Sequence, residues 1–526
     1  MECASRRFRR PFADLVVLVL VATVLVRAQS HQFDLLTASV ADIQAAVGTG
    51  ALTYERLVEL YLSRIEAYDK KGPRLNAVIE INPRAVEIAR VLDAERKTKG
   101  LRSPLHGIPF AVKDNIDVSD IPSAGGNLAL AGTYPARDAT VIKRLREAGA
   151  IIFIKTNMDE LALGSQGLSS LGGQTLNPYD LKRHPGGSSG GTAVAVNVGF
   201  ATVGLGTETG VSIRNPASNN ALIGIASTQG LVSRAGVIPV SFTQDRVGPH
   251  AKSVADAALV LEYIRGFDPE DLVTMENLGK LDKKSYRDYL DDRLAGARIG
   301  VLRDLFRKGP QFDTGNKLVE EQIALLRAQR AVVVDGLSTG MDLVSLIPLL
   351  RLNNYELRVG FDAYLRRRGS ASPVKTLAEL VATGKYLKRL EPQLQQALKR
   401  EALDFDPEYL SRLANRRMVQ QMLVELMDRG RLDALVYPFK SLPAPLLDAA
   451  ADGGGSDNPI SSITGLPAIV VPAGLTADGL PIAIEFLGRP FSEPKLIQIA
   501  FAYEQASRRR VTPNSTPHLS GEVFSY

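Results

Sequence analysis

The 526-residue chain has one cysteine, Cys3. It lies ahead of an apolar run in a segment read below as removable, so the mature chain has no disulfide, no thiolate nucleophile and no cysteine metal ligand. No Gly-Lys-Ser/Thr follows the glycine-rich stretch at 186–210, and "GLGTETG" has the wrong spacing for a dinucleotide fingerprint, which excludes both phosphate cradles. Long internal repeats and low-complexity tracts are missing as well, leaving no compositional joints. Excess charge is small: of the formal +6, about half belongs to the first 28 residues, which gives no case for nucleic acid. A hydrophobic share of 45% beside 23% charged residues excludes a disordered chain.

The N-terminus differs from the rest. "RRFRRPFAD" is cationic, "LVVLVLVATVLV" is a twelve-residue apolar run, and Val26-Arg27-Ala28 offers small residues where a signal peptidase cuts. The run falls short of the ~20 residues that span a bilayer. Residues 1–28 are therefore expected to be an export signal, and 29–526 a single domain, periplasmic or secreted. If the signal is not cut, the N-terminus would anchor the chain to a membrane. The arginine pairs after Ser5 are compatible with twin-arginine export.

From about 33 to 264 helix and strand patterns alternate. Thr53 can cap a helix with Leu57, Leu60, Tyr61, Ile65 and Tyr68 on one face. Asp138 is expected to start another, stopped by Gly149 and followed by the buried strand "AIIFI". Residues 267–432 are charged and helical, as in "LAELVATGKYLKRLEPQLQQALKREAL", and would cover a sheet or share in a pocket. Strands return in "LDALVYP", "LPAIVVPAG" and "LPIAIEFLG", with a last helix after Ser492 and Pro494. The expected class is α/β: a large mixed sheet, built from both ends of the chain, with helices on both faces.

The chemistry concentrates in "HPGGSSGGTAVAVNVGFATVGLGTETGVSIRNP". "GGSSGG" satisfies the nucleophile elbow G-x-S-x-G twice, centred on Ser188 or Ser189. A Ser-His esterase would then draw its base from His250 or His518, both in contexts typical of surface histidines. Lysine is the other base, provided burial or neighbouring positive charge lowers its pKa. Such a lysine should end a strand and point inward, as Lys113 does in "LHGIPFAVKDNID"; Lys155, ending "AIIFIK", is the rival.

These stretches carry a resemblance. The chain resembles the amidase signature family: "GGSSGG…GLGTETGVSIRNPAS" is similar to its glycine- and serine-rich signature, and "PLHGIPFAVKDNID" to its lysine segment. "GAIIFIKTNMDELALG", "GLVSRAGVIPVSFTQDRVGP", "LDALVYP" and "TGLPAIVVPAGLTADGLPIAIEFLGRPFSE" extend the likeness over about 33–513. The resemblance implies the amidase signature fold and a Ser-cisSer-Lys triad, whose nucleophile lies 24 residues beyond the first serine of the pair. That carries over as Ser212 nucleophile, Ser188 relay and Lys113 base, with Ser189 supporting the loop and Lys155 structural. It further implies an acyl-enzyme on Ser212, an oxyanion hole from the backbone N–H groups of Thr209, Gly210, Val211 and Ser212, and no metal or cofactor. A non-catalytic binding protein of the same fold is the remaining alternative.

Three positions depart from the family's pattern. Val211 replaces glycine beside the nucleophile and would be strained if φ there is positive; Glu208 replaces the aspartate after "GT"; and "GIASTQ" replaces "GLKPT". Arg214 could hold a substrate carboxylate, with pairing to an acid such as Asp245 the favoured reading. "GGQTLNPY", "GTET" and "VIPVSFTQD" resemble the peptide amidase branch, implying a peptide amide or other small-molecule amide as substrate. Anilides, carbamates and aliphatic amides stay open. No protein partner is required on this reading, and a homodimer is left open.

Overall fold

A computed structural model describes residues 31–400, 402–449 and 457–526. The expected export signal, with Cys3, lies outside the described residues. Eleven strands form the central sheet: β1 (Val78–Ile81), β2 (Pro109–Lys113), β3 (Ile151–Thr156), β4 (Val203–Glu208), β5 (Ile223–Ala226), β6 (Arg246–Ala251), β7 (Arg298–Leu302), β8 (Val332–Leu337), β9 (Ala434–Pro438), β10 (Ala468–Leu475) and β11 (Pro481–Leu487). Their order across the sheet is β8-β7-β9-β11-β10-β5-β6-β4-β2-β3-β1. The sheet is mixed: β2 runs parallel to β3 and β4, and β7 to β8 and β9, while β4, β5 and β6 and then β10 and β11 alternate in direction.

Local sequence accounts for these elements. β3, "IIFIKT", is rich in β-branched residues and buried at every position, the pattern of a strand covered on both faces. β2 opens on Pro109, tolerated at a strand's first residue. Thr53 caps the helix Tyr54–Tyr68 by accepting from the Arg56 N–H, and Leu57, Leu60, Tyr61 and Ile65 are buried. One apolar core extends from Phe33 to Tyr503.

Two expectations need correction. The helix at 140 starts at Thr140 with Ala139 at its cap, and Asp138 instead accepts from Ser119 and the Arg146 guanidinium. The region 267–432 is not wholly helical, because β7 and β8 lie within it and extend the sheet at one edge. "RIGVL" and "VVVDGL" are too short to stand out among charged helices.

Candidate active site

The site forms where β2 and β4 end side by side. Register puts Val112 opposite Leu205 and Lys113 opposite Thr156, so Lys113 emerges at the ends of β3 and β4. It is fully buried, with Nζ 2.7 Å from Ser188 Oγ, 2.8 Å from Thr207 Oγ1 and 3.2 Å from the Thr207 carbonyl. Burial lowers its pKa to about 7, opposed by Asp159, Asp245 and Glu208. A large fraction of such an amine is neutral at physiological pH.

Ser188 follows a cis peptide bond with Gly187. A Cβ at Gly187 would lie 2.0 Å from Asp159 Oδ2, so only glycine fits. Ser189 joins the glycine loop to β4: its hydroxyl donates to the Thr207 carbonyl at 3.1 Å, and its N–H donates to the Ser212 carbonyl at 3.3 Å. Ser212 lines a cavity of about 750 Å³, while Lys113 and Ser188 lie behind the wall. No hydrogen bond joins the Ser188 and Ser212 hydroxyls among the described residues.

The loop 209–212 has a distinctive polarity. Each of its carbonyls is taken: Thr209 O by Gln244 Nε2 at 3.0 Å, Gly210 O by Arg214 Nη2 at 2.9 Å, Val211 O by the Asn215 N–H at 2.7 Å, and Ser212 O by Ser189. Its four N–H groups meet no acceptor among the described residues, and all four residues line the cavity. Fixed amide dipoles whose donors are unengaged can stabilise an anion that forms there. Val211 is not strained, since its φ is not positive, and its partly buried side chain packs against the core.

Glu208 and Arg214 hold that loop from below. Glu208 Oε2 accepts from the N–H groups of Ile213 and Arg214 at 3.1 and 3.2 Å, and Arg214 bridges Glu208 at 3.0 Å to Glu485 at 2.8 Å. Arg246 adds a second cation to Glu208 at 2.7 Å. Burial raises the pKa of the Glu208 carboxyl, but the two guanidiniums outweigh it and keep it below its ordinary value. The expected pairing of Arg214 with Asp245 is thus corrected, as is a role on a substrate carboxylate: Arg214 is fully buried and saturated by two other acids. Asp245 binds Thr209 Oγ1 and the N–H groups of Val240 and Ser241. Arg214→Met leaves Glu485 buried without its cation and is expected to cost about 3–5 kcal/mol in denaturant unfolding.

Lys155 points away from the cavity, donating to Ser123 Oγ at 2.8 Å and to the Ile116 carbonyl, where it clamps the 114–123 loop. His250 is not at the surface: it is fully buried on β6, bonded to the Ile213 carbonyl at 2.9 Å, with its pKa lowered by burial to about 4. "RVGPHA" has no alternation that would reveal this. His518 pairs with Asp34 at 2.8 Å, far along the chain and partly exposed. Neither histidine lines the cavity, whereas His184 does, with Nδ1 3.2 Å from the Gln166 carbonyl and Nε2 unpartnered. Residues of the 267–432 segment, including Arg307, Ile347, Arg351 and Leu390, complete the wall.

Fold and site together define an α/β enzyme that hydrolyses amides. Residues 56–497 match the family described as Amidase, and the chain belongs to that family. Among solved structures it is similar to the native peptide amidase of Stenotrophomonas maltophilia, at 38% identity and a TM-score of 0.84, covering 91% of this chain and 99% of that one. Among curated proteins it is 36% identical to a probable amidase of Arabidopsis thaliana over 92% of this chain and 93% of the relative. It is 35% identical to one subunit of the glutamyl-tRNA(Gln) amidotransferase of Symbiobacterium thermophilum, over 87% and 94% respectively.

Proposed function

We propose that the chain hydrolyses carboxylic amides, peptide amides in particular, through an acyl-enzyme on Ser212. The observation that carries this reading is the buried Lys113 amine, 2.7 Å from Ser188 Oγ and with its pKa lowered to about 7 by burial. Neutral Lys113 takes the Ser188 proton as Ser188 takes that of Ser212, and the Ser212 oxygen attacks the amide carbonyl. The tetrahedral oxyanion meets the N–H groups of Thr209, Gly210, Val211 and Ser212, one such donor being worth ~3 to 4 kcal/mol. Lys113 then returns the proton through Ser188 to the leaving amine, and water attacks the ester by the reverse relay. Every residue used comes from this one chain and none of the steps calls for a metal or organic cofactor.

Peptide amides are favoured by the likeness to the Stenotrophomonas enzyme across nearly its whole length. The chain is proposed to act alone and, on the strength of its first 28 residues, to be exported. A hydrolysis panel of peptide amides, anilides, carbamates and short aliphatic amides tests the substrate. Peptide amides are expected to give the highest kcat/KM, and a tenfold preference for any other class would replace that assignment.

A further inference from the structure

Beyond Ser212 the cavity is unevenly charged. Among the described residues its charged lining is Arg307, Arg351, Arg389 and Lys440 against Asp457 alone. Arg389 is already engaged by Asp159 at 3.2 Å, and Arg351 sits exposed on the rim. Lys440 is different. It is 2% exposed, two residues beyond the end of β9, and among the described residues it has no ion pair. Among the described residues its ammonium meets one acceptor, Asn219 Oδ1, which leaves two of its three donors without a partner there. Burial pulls its pKa down from the ordinary lysine value against the attraction of Asp457.

The neighbouring polar atoms have the same character. Asn219 Nδ2 is buried with no acceptor, and so is Arg307 Nε, although Arg307 Nη2 reaches the Asp457 carbonyl at 3.2 Å. The unmet donors of Lys440, Asn219 and Arg307 suit a group that accepts, and a carboxylate offers about four lone-pair sites for them, beside the unmet acceptors Asn353 Oδ1 on the same wall and Asn458 Oδ1 next to Asp457. Asp457 attracts this ammonium without pairing with it, and a buried ammonium short of acceptors is costly, which suits the site to an anionic ligand. Asn219 ends the helix Arg214–Asn219, which rises about 7.5 Å at 1.5 Å per residue, and Ser212 lies two residues before it, so the two are on the order of 10 Å apart. An extended substrate spans that gap in about three residues.

We infer that Lys440, with Asn219 and Arg307, forms an anion subsite, and that the preferred amides carry a carboxylate on the acyl side, some three residues from the scissile bond. The assignment of that distance rests on Ser212 as the attacking group. Lys440 is a recognition residue on this account and takes no part in bond making.

The test is calorimetric, using Ser212→Ala so that nothing turns over. The ligands are N-succinyl-alanyl-phenylalaninamide and its methyl ester, which has the same chain without the charge. The acid is expected to bind at least tenfold more tightly than the ester. Adding Lys440→Met should bring the acid down to the affinity of the ester, and Lys440→Arg should restore the difference; Lys440→Gln replaces the methionine variant if thermal unfolding shows it misfolded. Equal binding of acid and ester to Ser212→Ala overturns the subsite. An equal loss of both ligands on Lys440→Met does so too, since Lys440 would then only hold the wall. Because binding is read without turnover, failure of the wild type to hydrolyse either compound would count against the Ser212 mechanism and leave the measured charge preference standing.

Discussion

Lys113→Ala is expected to lower kcat for amide hydrolysis by about 10⁴-fold, the scale on which removal of a group acting as part of a catalytic unit is felt. Lys113 is the titratable side chain bonded to Ser188, and its three contacts with Ser188 and Thr207 fix the amine at the Ser188 hydroxyl. Its protonation then sets the pH profile: with the pKa lowered by burial to about 7, kcat/KM should rise tenfold per pH unit below about 7 and level off above it. The sign distinguishes a lysine base that must lose a proton from a group that must keep one. Lys113→Met fills more of the space and serves where the alanine variant unfolds. His184→Ala, His250→Asn and His518→Ala are expected to leave that rising limb in place. Its disappearance in His184→Ala would instead give the base to the unpartnered Nε2 on the cavity wall.

Ser212→Ala should abolish turnover to a similar degree and also abolish covalent labelling by a fluorophosphonate probe. Ser188→Ala should reduce both strongly, since the proton path to Lys113 is cut, yet Ser212 itself remains to be labelled slowly. Mass spectrometry of the tryptic peptides locates the adduct. An adduct on Ser188 or Ser189, or one that persists in Ser212→Ala, overturns the assignment of the nucleophile. The geometry favours Ser212 because it lies on the cavity wall and ends the run of unengaged N–H groups, whereas Ser188 is fully buried behind it.

How much of this is visible in the sequence depends on range. Lys113 shows as an inward strand end because "IPFAV" is apolar and "DN" is a turn, all within ten residues. The strands β9, β10 and β11 are likewise announced by short apolar runs and an Asp-Gly turn. Arg214 is not legible: its partner Glu485 lies 271 residues away, and only the folded sheet brings the two together. His250 escapes for a similar reason, because its burial comes from β4 and β5 packing on either side rather than from its neighbours. The polarity of the 209–212 loop needs Gln244, Arg214, Asn215 and Ser189 in place. The role of Glu208 follows the same rule, with one carboxylate serving two guanidiniums and two backbone amides.

The strand order has a consequence for how the chain is made. β10 and β11, almost the last strands synthesised, sit in the middle of the sheet, between β9 and β5. Until they emerge, β5 and β9 are bare edges, each able to recruit a strand from another molecule. From the completion of β9 at Pro438 until β10 and β11 follow at Ala468–Leu475 and Pro481–Leu487, the nascent protein therefore holds two unfinished half-sheets, and a chain stopped within that interval would keep both edges and tend to aggregate.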